Sequence, residues 1–494
     1  MKQGNLEALF NPENIAVVGA SGNPGKAGYV ILQNLIRKKY PKKVFPVNPG
    51  EQEILGLKSY KCLSEIEDTV ELVVLITPSR MIYTIMDDLE RRMQQKNDVK
   101  AIVCAAADYG ETKTEEGIRR QQALVSTAGK YNIRVVGPNC IGVIDNESMV
   151  DTTFVETGVP EDMFGPRGGV SFISQSGAVA ASILMLGASQ PLPVRFNKFI
   201  SIGNMADVDF IDLLEYLEQD ETTRVIGMYM EGYGDGRKLI DNMARIVTKK
   251  PIVVLKVGRS EKGASAANSH TGSLAGSDQV YDAAFRQYGI LRVDTIDELM
   301  DTLQAFDKLA LPQSENLFVL SQAGGPGIFC TDSVSKYPFI KMPVISDKTK
   351  GKLKESLPPM AVVCSPEGYA DITASATVEN HAESLGLLLE DDNVDSIIMI
   401  TVIPTFLPRE ELAKALANTY NLSKYRRKKP VYFVIMAGNY VKNIRRTLEE
   451  CGGCTFDTPD RAVNTAKNMI KYAQYLRHLK DGGELLDEQH RTAY

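Results

Sequence analysis

Apolar residues in this chain gather in short continuous runs rather than in strict alternation. In the first third these runs are Ile15 to Val18, Val44 to Val47, Leu72 to Ile76, Ala101 to Ala105 and Arg134 to Val136. Glycine or proline turns separate them from segments of helical period, as in Gly19 to Gly28 followed by Val30 to Lys39. Buried strand, turn and amphipathic helix in repetition is the pattern of a parallel sheet with helical crossovers. A second set of runs follows at Val170 to Ile173, Phe199 to Ile202, Val225 to Met230 and Ile252 to Val257, and a third at Leu317 to Leu320, Ser396 to Thr401 and Val431 to Ile435. Residues 146 to 167 are rich in turn formers without a period and read as a linker, and Leu311-Pro312-Gln313 reads as a second boundary. The expectation is an α/β chain of three doubly wound domains, 1–145, 146–311 and 312–480, with a charged, loosely ordered tail over 481–494. Two of the domains open alike, with Ser174-Gln175-Ser176-Gly177-Ala178 and Ser321-Gln322-Ala323-Gly324-Gly325, which implies a duplicated fold.

Composition narrows the class but adds no label. A chain of 494 residues is too long for one core, and 44% apolar with 24% charged residues is ordinary globular usage. The net charge of -6 is spread along the chain, which argues against a nucleic-acid or membrane footprint. The basic runs Lys38, Lys39, Lys42, Lys43 and Arg426 to Lys429 read as solvated faces. The longest apolar stretch, Ile397 to Phe406, is far below the roughly 18 residues of a membrane span, and the first residues lack a signal-type core, so a cytoplasmic protein is expected. Seven scattered cysteines make no disulfide framework, and Cys451-Gly-Gly-Cys454 stands without the second pair that zinc needs, so no metal site is expected.

Three glycine turns are candidates for holding anions. A strand running into Gly19-Ala20-Ser21-Gly22-Asn23-Pro24-Gly25 points backbone N–H groups and a helix dipole at one spot. The spacing departs from a dinucleotide fingerprint at Ser21, and the second strand ends Val47-Asn48-Pro49-Gly50 without an acid for a ribose hydroxyl. These features favour a phosphate-bearing nucleotide such as CoA, with NAD or a purely structural turn as the alternatives. The turns at Ser176 and Gly324 are similar, since small residues in a first helical turn let an oxyanion approach the backbone.

Of four histidines, His381, His478 and His490 lie in segments that read as helical or tail surface, solvated or packed. His270 lies in Ser265-Ala266-Ala267-Asn268-Ser269-His270-Thr271-Gly272-Ser273, a run of small polar residues that reads as a loop. A neutral imidazole can attack an acyl phosphate if a carboxylate fixes its tautomer, and Glu231, closing the strand Val225 to Met230, is the candidate.

The segment from Gly258 to Gly276, with its Ser-His-Thr-Gly-Ser-Leu-Ala-Gly core, resembles the phosphohistidine loop of ADP-forming acetyl- and acyl-CoA synthetases, relatives of succinyl-CoA synthetase. Gly19-Ala20-Ser21 with Asn23-Pro24-Gly25-Lys26, Asn48-Pro49, Thr77-Pro78 and Gly137-Pro138-Asn139-Cys140 resemble that family's CoA-binding domain. Ser174 to Gly177, Ser201-Ile202-Gly203-Asn204 and Tyr229-Met230-Glu231-Gly232 resemble its second domain, and Ala323-Gly324-Gly325-Pro326-Gly327 its third. The resemblance implies a Rossmann-like CoA-binding domain followed by two flavodoxin-like domains. It implies His270 as phosphoryl carrier and Glu231 as its orienting carboxylate. It places phosphate or acyl groups at Ser176, Gly177, Ala178, Gly324, Gly325 and Gly327 with Thr271 and Gly272, and CoA at Gly19, Ser21, Asn23, Pro24, Gly25, Lys26, Asn48, Pro49, Thr77, Pro78 and Asn139. The implied reaction is acid, CoA and ATP giving acyl-CoA, ADP and phosphate. Three positions depart from the family pattern: Gly50 replaces a usual lysine, Ala105 to Tyr109 a usual Ser-Ala-Gly-Phe turn, and Ser365 to Asp371 a usual Asn-Pro-Val-Asp segment.

No Gly-x-x-x-x-Gly-Lys loop is present and no ATP-grasp sequence follows residue 478, so ATP, ADP and Mg2+ are expected on a separate beta subunit in an α2β2 assembly. A non-catalytic CoA-binding regulator or scaffold is the rival reading. The intact His270 segment and Glu231 argue against it.

Overall fold

The computed structural model describes residues 6–155, 168–191, 194, 196–271, 278–403 and 407–482, with the backbone alone for 267–271. The chain divides into two compact units, Met1–Ala188 with Val194–Ala284, and Phe285–Tyr494 with Ser189–Pro193.

The first unit holds two sheets. Strands β1 (Ile15–Val18), β2 (Val44–Val47), β3 (Leu72–Leu75), β4 (Ala101–Cys104) and β5 (Arg134–Val136) form an all-parallel sheet in the order β2-β1-β3-β4-β5. Helices α1 (Ala27–Arg37), α2 (Ile82–Gln95) and α3 (Glu115–Lys130) are the crossovers. The continuous apolar runs follow from this arrangement, since β1, β3 and β4 are buried at every position, as strands covered on both faces must be. The second sheet runs β11-β10-β8-β9-β6-β7 within this unit, from β6 (Val143–Asp145), β7 (Val150–Asp151), β8 (Val170–Ser174), β9 (Phe196–Ser201), β10 (Val225–Met230) and β11 (Ile252–Lys256). Its crossovers include α4 (Gly177–Ser189), α5 (Phe210–Gln219) and α6 (Gly236–Ile246), and α7 (Glu261–Thr271) follows β11. Strands β8 to β11 are parallel, while β6 is antiparallel to both β9 and β7.

The second unit repeats the plan. It contains β12 (Leu317–Ser321), β13 (Val362–Val363), β14 (Tyr369–Asp371), β15 (Ser396–Thr401), β16 (Val431–Ile435) and β17 (Cys454–Phe456), ordered β13-β14-β12-β15-β16-β17. The connecting helices include α8 (Gly324–Ser335), α9 (Val378–Glu390), α10 (Arg409–Leu422), α11 (Lys442–Glu450) and α12 (Pro459–Lys480). In all three sheets the first parallel strand has its second and third partners on opposite sides. That is the flavodoxin-type order, and ligands in such sheets bind at the C-terminal edge between the first and third strands.

Several expectations change. The segment around His270 is not a loop: Glu261–Thr271 is helical, because small residues such as Ala264, Ala266 and Ala267 favour a helix where no hydrophobic period marks one. Within the stretch read as a linker, β7 pairs with β6. Lys38 and Lys429 are not on solvated faces. Lys38 is buried against Asp151 (3.6 Å) and the Asn146 Oδ1 (2.8 Å), and burial holds its ammonium below the usual lysine range. The Lys429 ammonium donates to the Asp391 carbonyl at 2.6 Å. His381 is fully buried on α9, its Nδ1 2.6 Å from the Thr377 carbonyl oxygen. His490 and the tail lie outside the described residues. Among the described residues no helix is long and apolar enough to cross a membrane.

Candidate functional site

The first switch point lies between β1 and β3. Gly19 leaves β1 with φ +94°, a conformation that glycine adopts without strain, and a Cβ there would fall 2.9 Å from the Ile76 carbonyl and the Thr77 Cγ2. Thr77 therefore faces the turn from the neighbouring strand end, with Pro78 exposed after it. Gly28, in the first turn of α1, lies so close that a Cβ would sit 2.1 Å from the Gly19 carbonyl oxygen. Gly22 to Lys26 are exposed. The expectation of open amides holds only in part. The Gly22 N–H donates to both oxygens of Glu51 (3.1 and 3.0 Å), the Asn23 N–H to the Ser21 hydroxyl (3.1 Å), and the Gly25 N–H to the Asn23 side chain (2.9 Å). Asn48 ties the second strand in, its amide donating to the Ala20 carbonyl (2.8 Å) and to Glu51 (3.1 Å), with Pro49 exposed beside it. An acid thus reaches this turn although none ends β2. Glu51 was missed because it lies beyond the strand end, past Gly50.

Asn139 follows β5 at the same sheet edge and is locked to the second sheet. Its backbone N–H donates to the Ala106 carbonyl (2.9 Å), and Gly203 packs so tightly that a Cβ would lie 2.2 Å from the Pro138 carbonyl oxygen. Arg134 adds ion pairs to Asp207 (3.0 Å) and Asp212 (2.8 Å), so the two sheets of this unit share one frame.

The second switch point lies between β8 and β10. The Ser174 hydroxyl donates to the Ser176 carbonyl (2.8 Å), shaping the turn that presents Ser176, Gly177 and the exposed Ala178 at the start of the 13-residue α4. Gln175 is buried, and its Oε1 accepts the N–H groups of Glu231 (2.8 Å) and Gly232 (3.2 Å), clamping the end of β10 to the turn. Glu231 is 7% exposed, so its carboxylate sits in a setting of low dielectric where its charge acts strongly. Burial, with the charge of Glu231 adding to it, pushes the Tyr229 phenol up to about 12. Lys256, at the end of β11 and 1% exposed, donates from its ammonium to the Glu231 carbonyl at 2.8 Å. Sequence reasoning missed Lys256 and the clamp by Gln175. A lysine closing a buried apolar run was the available signal, since such a cation must have a specific partner. His270 lies in the last turn of α7. Its side chain, that of Thr271, and Gly272 lie outside what is described, so their distance to Glu231 is not part of this geometry.

The third switch point, between β12 and β15, repeats the second. The Ser321 hydroxyl donates to the Ala323 carbonyl (2.7 Å) and leads into Gly324 and Gly325 at the start of α8. Gly327 lies against the Tyr369 ring, where a Cβ would be 2.6 Å from the phenol oxygen. Asp371 flanks Gly324, its Oδ2 3.2 Å from where a Cβ would stand. The first and third turns thus combine a helix N-terminus with a carboxylate from a neighbouring element, and the second brings the backbone of Glu231 to such a turn, arrangements able to receive and release anions.

Residues 13–146 match a family described as a CoA binding domain, and residues 167–306 match a succinyl-CoA ligase like flavodoxin domain. The chain is 38% identical to the acetate–CoA ligase [ADP-forming] II subunit alpha of Pyrococcus furiosus, over 95% of its own length and 98% of that subunit. It is 32% identical to the 4-hydroxybutyrate–CoA ligase [ADP-forming] of Nitrosopumilus maritimus, over 95% of its length and 64% of that protein. Among solved structures it is similar to the dinucleotide-forming acetyl-coenzyme A synthetase 1 of Ca. Korarchaeum cryptofilum in complex with phosphate and ADP. That match has a TM-score of 0.85 and 31% identity over 97% of this chain and 99% of that one.

Proposed function

The chain belongs to the ADP-forming acyl-CoA ligase family and aligns with its alpha subunits, and from that premise we propose that it joins a small carboxylic acid to CoA through an acyl phosphate and a phosphohistidine at His270. The reaction as a whole is acid + CoA + ATP giving acyl-CoA + ADP + phosphate. The nucleotide with its Mg2+ belongs to a separate ATP-grasp beta subunit, in an α2β2 assembly in the cytoplasm.

Three steps divide the chemistry. The His270 imidazole takes the terminal phosphoryl group of ATP, forming an N–P bond as the bond to ADP breaks. The acid's carboxylate then attacks phosphorus, the N–P bond breaks, and neutral imidazole returns. Finally the CoA thiolate attacks the acyl carbon and phosphate leaves. Glu231 orients the ring and offsets the positive charge that develops on it during phosphorylation. Ser176, Gly177 and Ala178 hold phosphate at one station, and Gly324, Gly325 and Gly327 hold it at a second, with Thr271 and Gly272 flanking the carrier. CoA lies on the turn of Gly19, Ser21, Asn23, Pro24, Gly25 and Lys26, with Asn48, Pro49, Thr77, Pro78 and Asn139 along the same sheet edge. Residues 1–145 are then the CoA domain, 146–311 the carrier domain and 312–480 the second phosphate-handling domain.

The second switch point supports this reading: buried Glu231 is clamped through its backbone to Gln175, which leads into α4, in a chain 38% identical to a named alpha subunit. The test is labelling with radioactive ATP in the presence of the beta subunit. Wild type should acquire acid-labile, base-stable phosphate and His270→Ala none. Persistent label in the variant would sink the mechanism.

A further inference from the structure

Glu231 stands one residue beyond the end of β10, and its backbone is gripped from two sides by buried side chains. The Gln175 Oε1 accepts the N–H of Glu231 (2.8 Å) and that of Gly232 (3.2 Å). The Lys256 ammonium donates to the Glu231 carbonyl at 2.8 Å and to the Val257 carbonyl at 2.5 Å, with the Tyr281 ring centre 5.1 Å away. A peptide unit is planar, so its N–H and C=O turn together. The unit joining Glu231 to Gly232 is held at both its N–H and its C=O, and the unit before it at its N–H. With both planes that flank the Glu231 α carbon held, φ and ψ are fixed there, and so is the direction in which the side chain leaves the backbone.

The internal repeat shows that the sheet itself does not call for this grip. In the first copy Ser174 pairs with Tyr229 and Met230 with Lys256, and in the second Ser321 pairs with Ile400 and Thr401 with Ile435. Gln175 thus corresponds to Gln322, Glu231 to Val402 and Lys256 to Ile435. Ile435 is fully buried, so this strand end accommodates an apolar side chain, whereas a buried ammonium costs free energy unless acceptors hold it. In the copy that has valine in place of the acid, isoleucine also replaces the lysine, and the Gln322 side chain makes no hydrogen bond. The grip stands where the carboxylate stands and is absent from the copy that lacks it.

We propose that Lys256 and Gln175 are positioning residues for the phosphoryl transfer, holding the peptide units of Glu231 so that its carboxylate keeps one orientation toward the carrier. The assignment rests on reading Glu231 as the carboxylate that orients the His270 ring and offsets its developing charge. A preorganised charge acts on a transition state because it does not have to reorient as the reaction proceeds, and a misplacement of about 1 Å costs on the order of a hundredfold in rate. A Glu231 freed from either clamp keeps its charge but loses that geometry, so transfer slows while ATP binding on the beta subunit is untouched.

The experiment measures the rate of phosphate labelling from radioactive ATP, over a range of ATP concentrations and with the beta subunit present. It compares wild type, Lys256→Ile, Gln175→Met and Glu231→Gln with the two doubles that combine each clamp variant with Glu231→Gln. Isoleucine is the residue that the repeat carries at this position, and thermal melting of each variant reports on the fold. Each clamp variant should lower the maximal labelling rate at least about tenfold, with the ATP concentration for half-maximal rate unchanged. In the Glu231→Gln background the same substitutions should slow labelling no further, because a residue that acts through the carboxylate has nothing left to position. Losses that add in full in the doubles, or a wild-type rate in both clamp variants beside a slow Glu231→Gln, overturn the assignment and leave the role of Glu231 standing. A wild-type rate in Glu231→Gln itself overturns that role and the assignment together. Should Lys256→Ile fail to fold, Gln175→Met alone and in its double decides.

Discussion

Gly28→Ala is a mechanical test of the turn assigned to CoA. A Cβ at Gly28 would fall 2.1 Å from the Gly19 carbonyl oxygen, 3.0 Å from its carbon and 3.1 Å from the Ala20 Cα. Since Cβ atoms do not approach other heavy atoms closer than 3.0 Å, either α1 retreats by about 0.9 Å or the Gly19 peptide turns away. Gly19 has little room to yield. Its N–H donates to the Val47 carbonyl at 3.0 Å, and its own α carbon faces the Ile76 carbonyl. The helix itself is anchored by buried Val30, Ile31, Leu32 and Leu35. Forcing a methyl into such packing costs about 1–3 kcal/mol, enough to lower the melting temperature by several degrees. The same shift carries the first amides of α1 out of line with Ser21 to Lys26, and CoA affinity should fall at least about tenfold. Gly129→Ala is the control. It lies in α3 with nothing within 4 Å of the added Cβ, and alanine there should stabilise by about 0.5–1 kcal/mol. Thermal melting and calorimetric titration with CoA read both effects. A melting temperature equal to wild type in Gly28→Ala would refute the packing argument, and a lowered one with unchanged CoA affinity would remove the turn from the CoA site.

Glu231→Gln should leave the fold intact, because the clamp from Gln175 engages its backbone, yet slow phosphate labelling of the chain roughly a hundredfold through the loss of about 3 kcal/mol of charge stabilisation. A labelling rate equal to wild type would show that the carboxylate has no part in the transfer. His381 supplies an acid-sensitive element of stability. Burial holds its imidazole below the usual value of 6.5, so it folds neutral, and its contribution is present above about pH 6.5 and lost as pH falls through that value toward the folded pKa. His381→Leu should therefore shrink the difference in melting temperature between pH 7.5 and 5.5, and an unchanged difference would assign the acid sensitivity to other groups.

The parallel strands were legible because each is buried on both faces and so is written as an unbroken apolar run: Val225–Met230, Ser396–Thr401 and Val431–Ile435 were read with their observed bounds. The short strands toward the sheet margins were not. Val143–Asp145 and Val150–Asp151 end in aspartates that look like turn residues, but Asp145 and Asp151 are buried by pairing with Lys198 (3.2 Å) and Lys38 (3.6 Å). Tyr369–Asp371 is similarly short and closes on a charge. Lys38 was misread for the complementary reason, since a basic run shows charge without showing which of its members turns inward. The helix Glu261–Thr271 was hidden by its lack of an apolar face. The glycine turns were found because their chemistry is local. The groups that complete them come from other strands: Glu51 from beyond β2, Lys256 from β11 and Asp371 from β14, and only the sheet order brings these to a turn.

That sheet order also bears on how strongly each turn can hold an anion. A helix N-terminus carries roughly half a positive charge, which by itself stabilises a bound anion by up to about 2 kcal/mol in partly buried settings. In the first turn Glu51 already occupies the Gly22 N–H with both carboxylate oxygens, so an incoming phosphate must displace an internal anion or bind beside it. At the second turn Glu231 is clamped against Gln175, and at the third Asp371 stands next to Gly324. A neighbouring carboxylate opposes the dipole and reduces the affinity of the turn for a free dianion. If the turns are stations for a phosphoryl group in transit, as proposed, the reaction needs this, because a station that bound phosphate tightly would trap it. Affinity must instead come from groups that engage the transferring species in one geometry. On the proposed reading that demand falls, at the second turn, on the His270 imidazole as carrier.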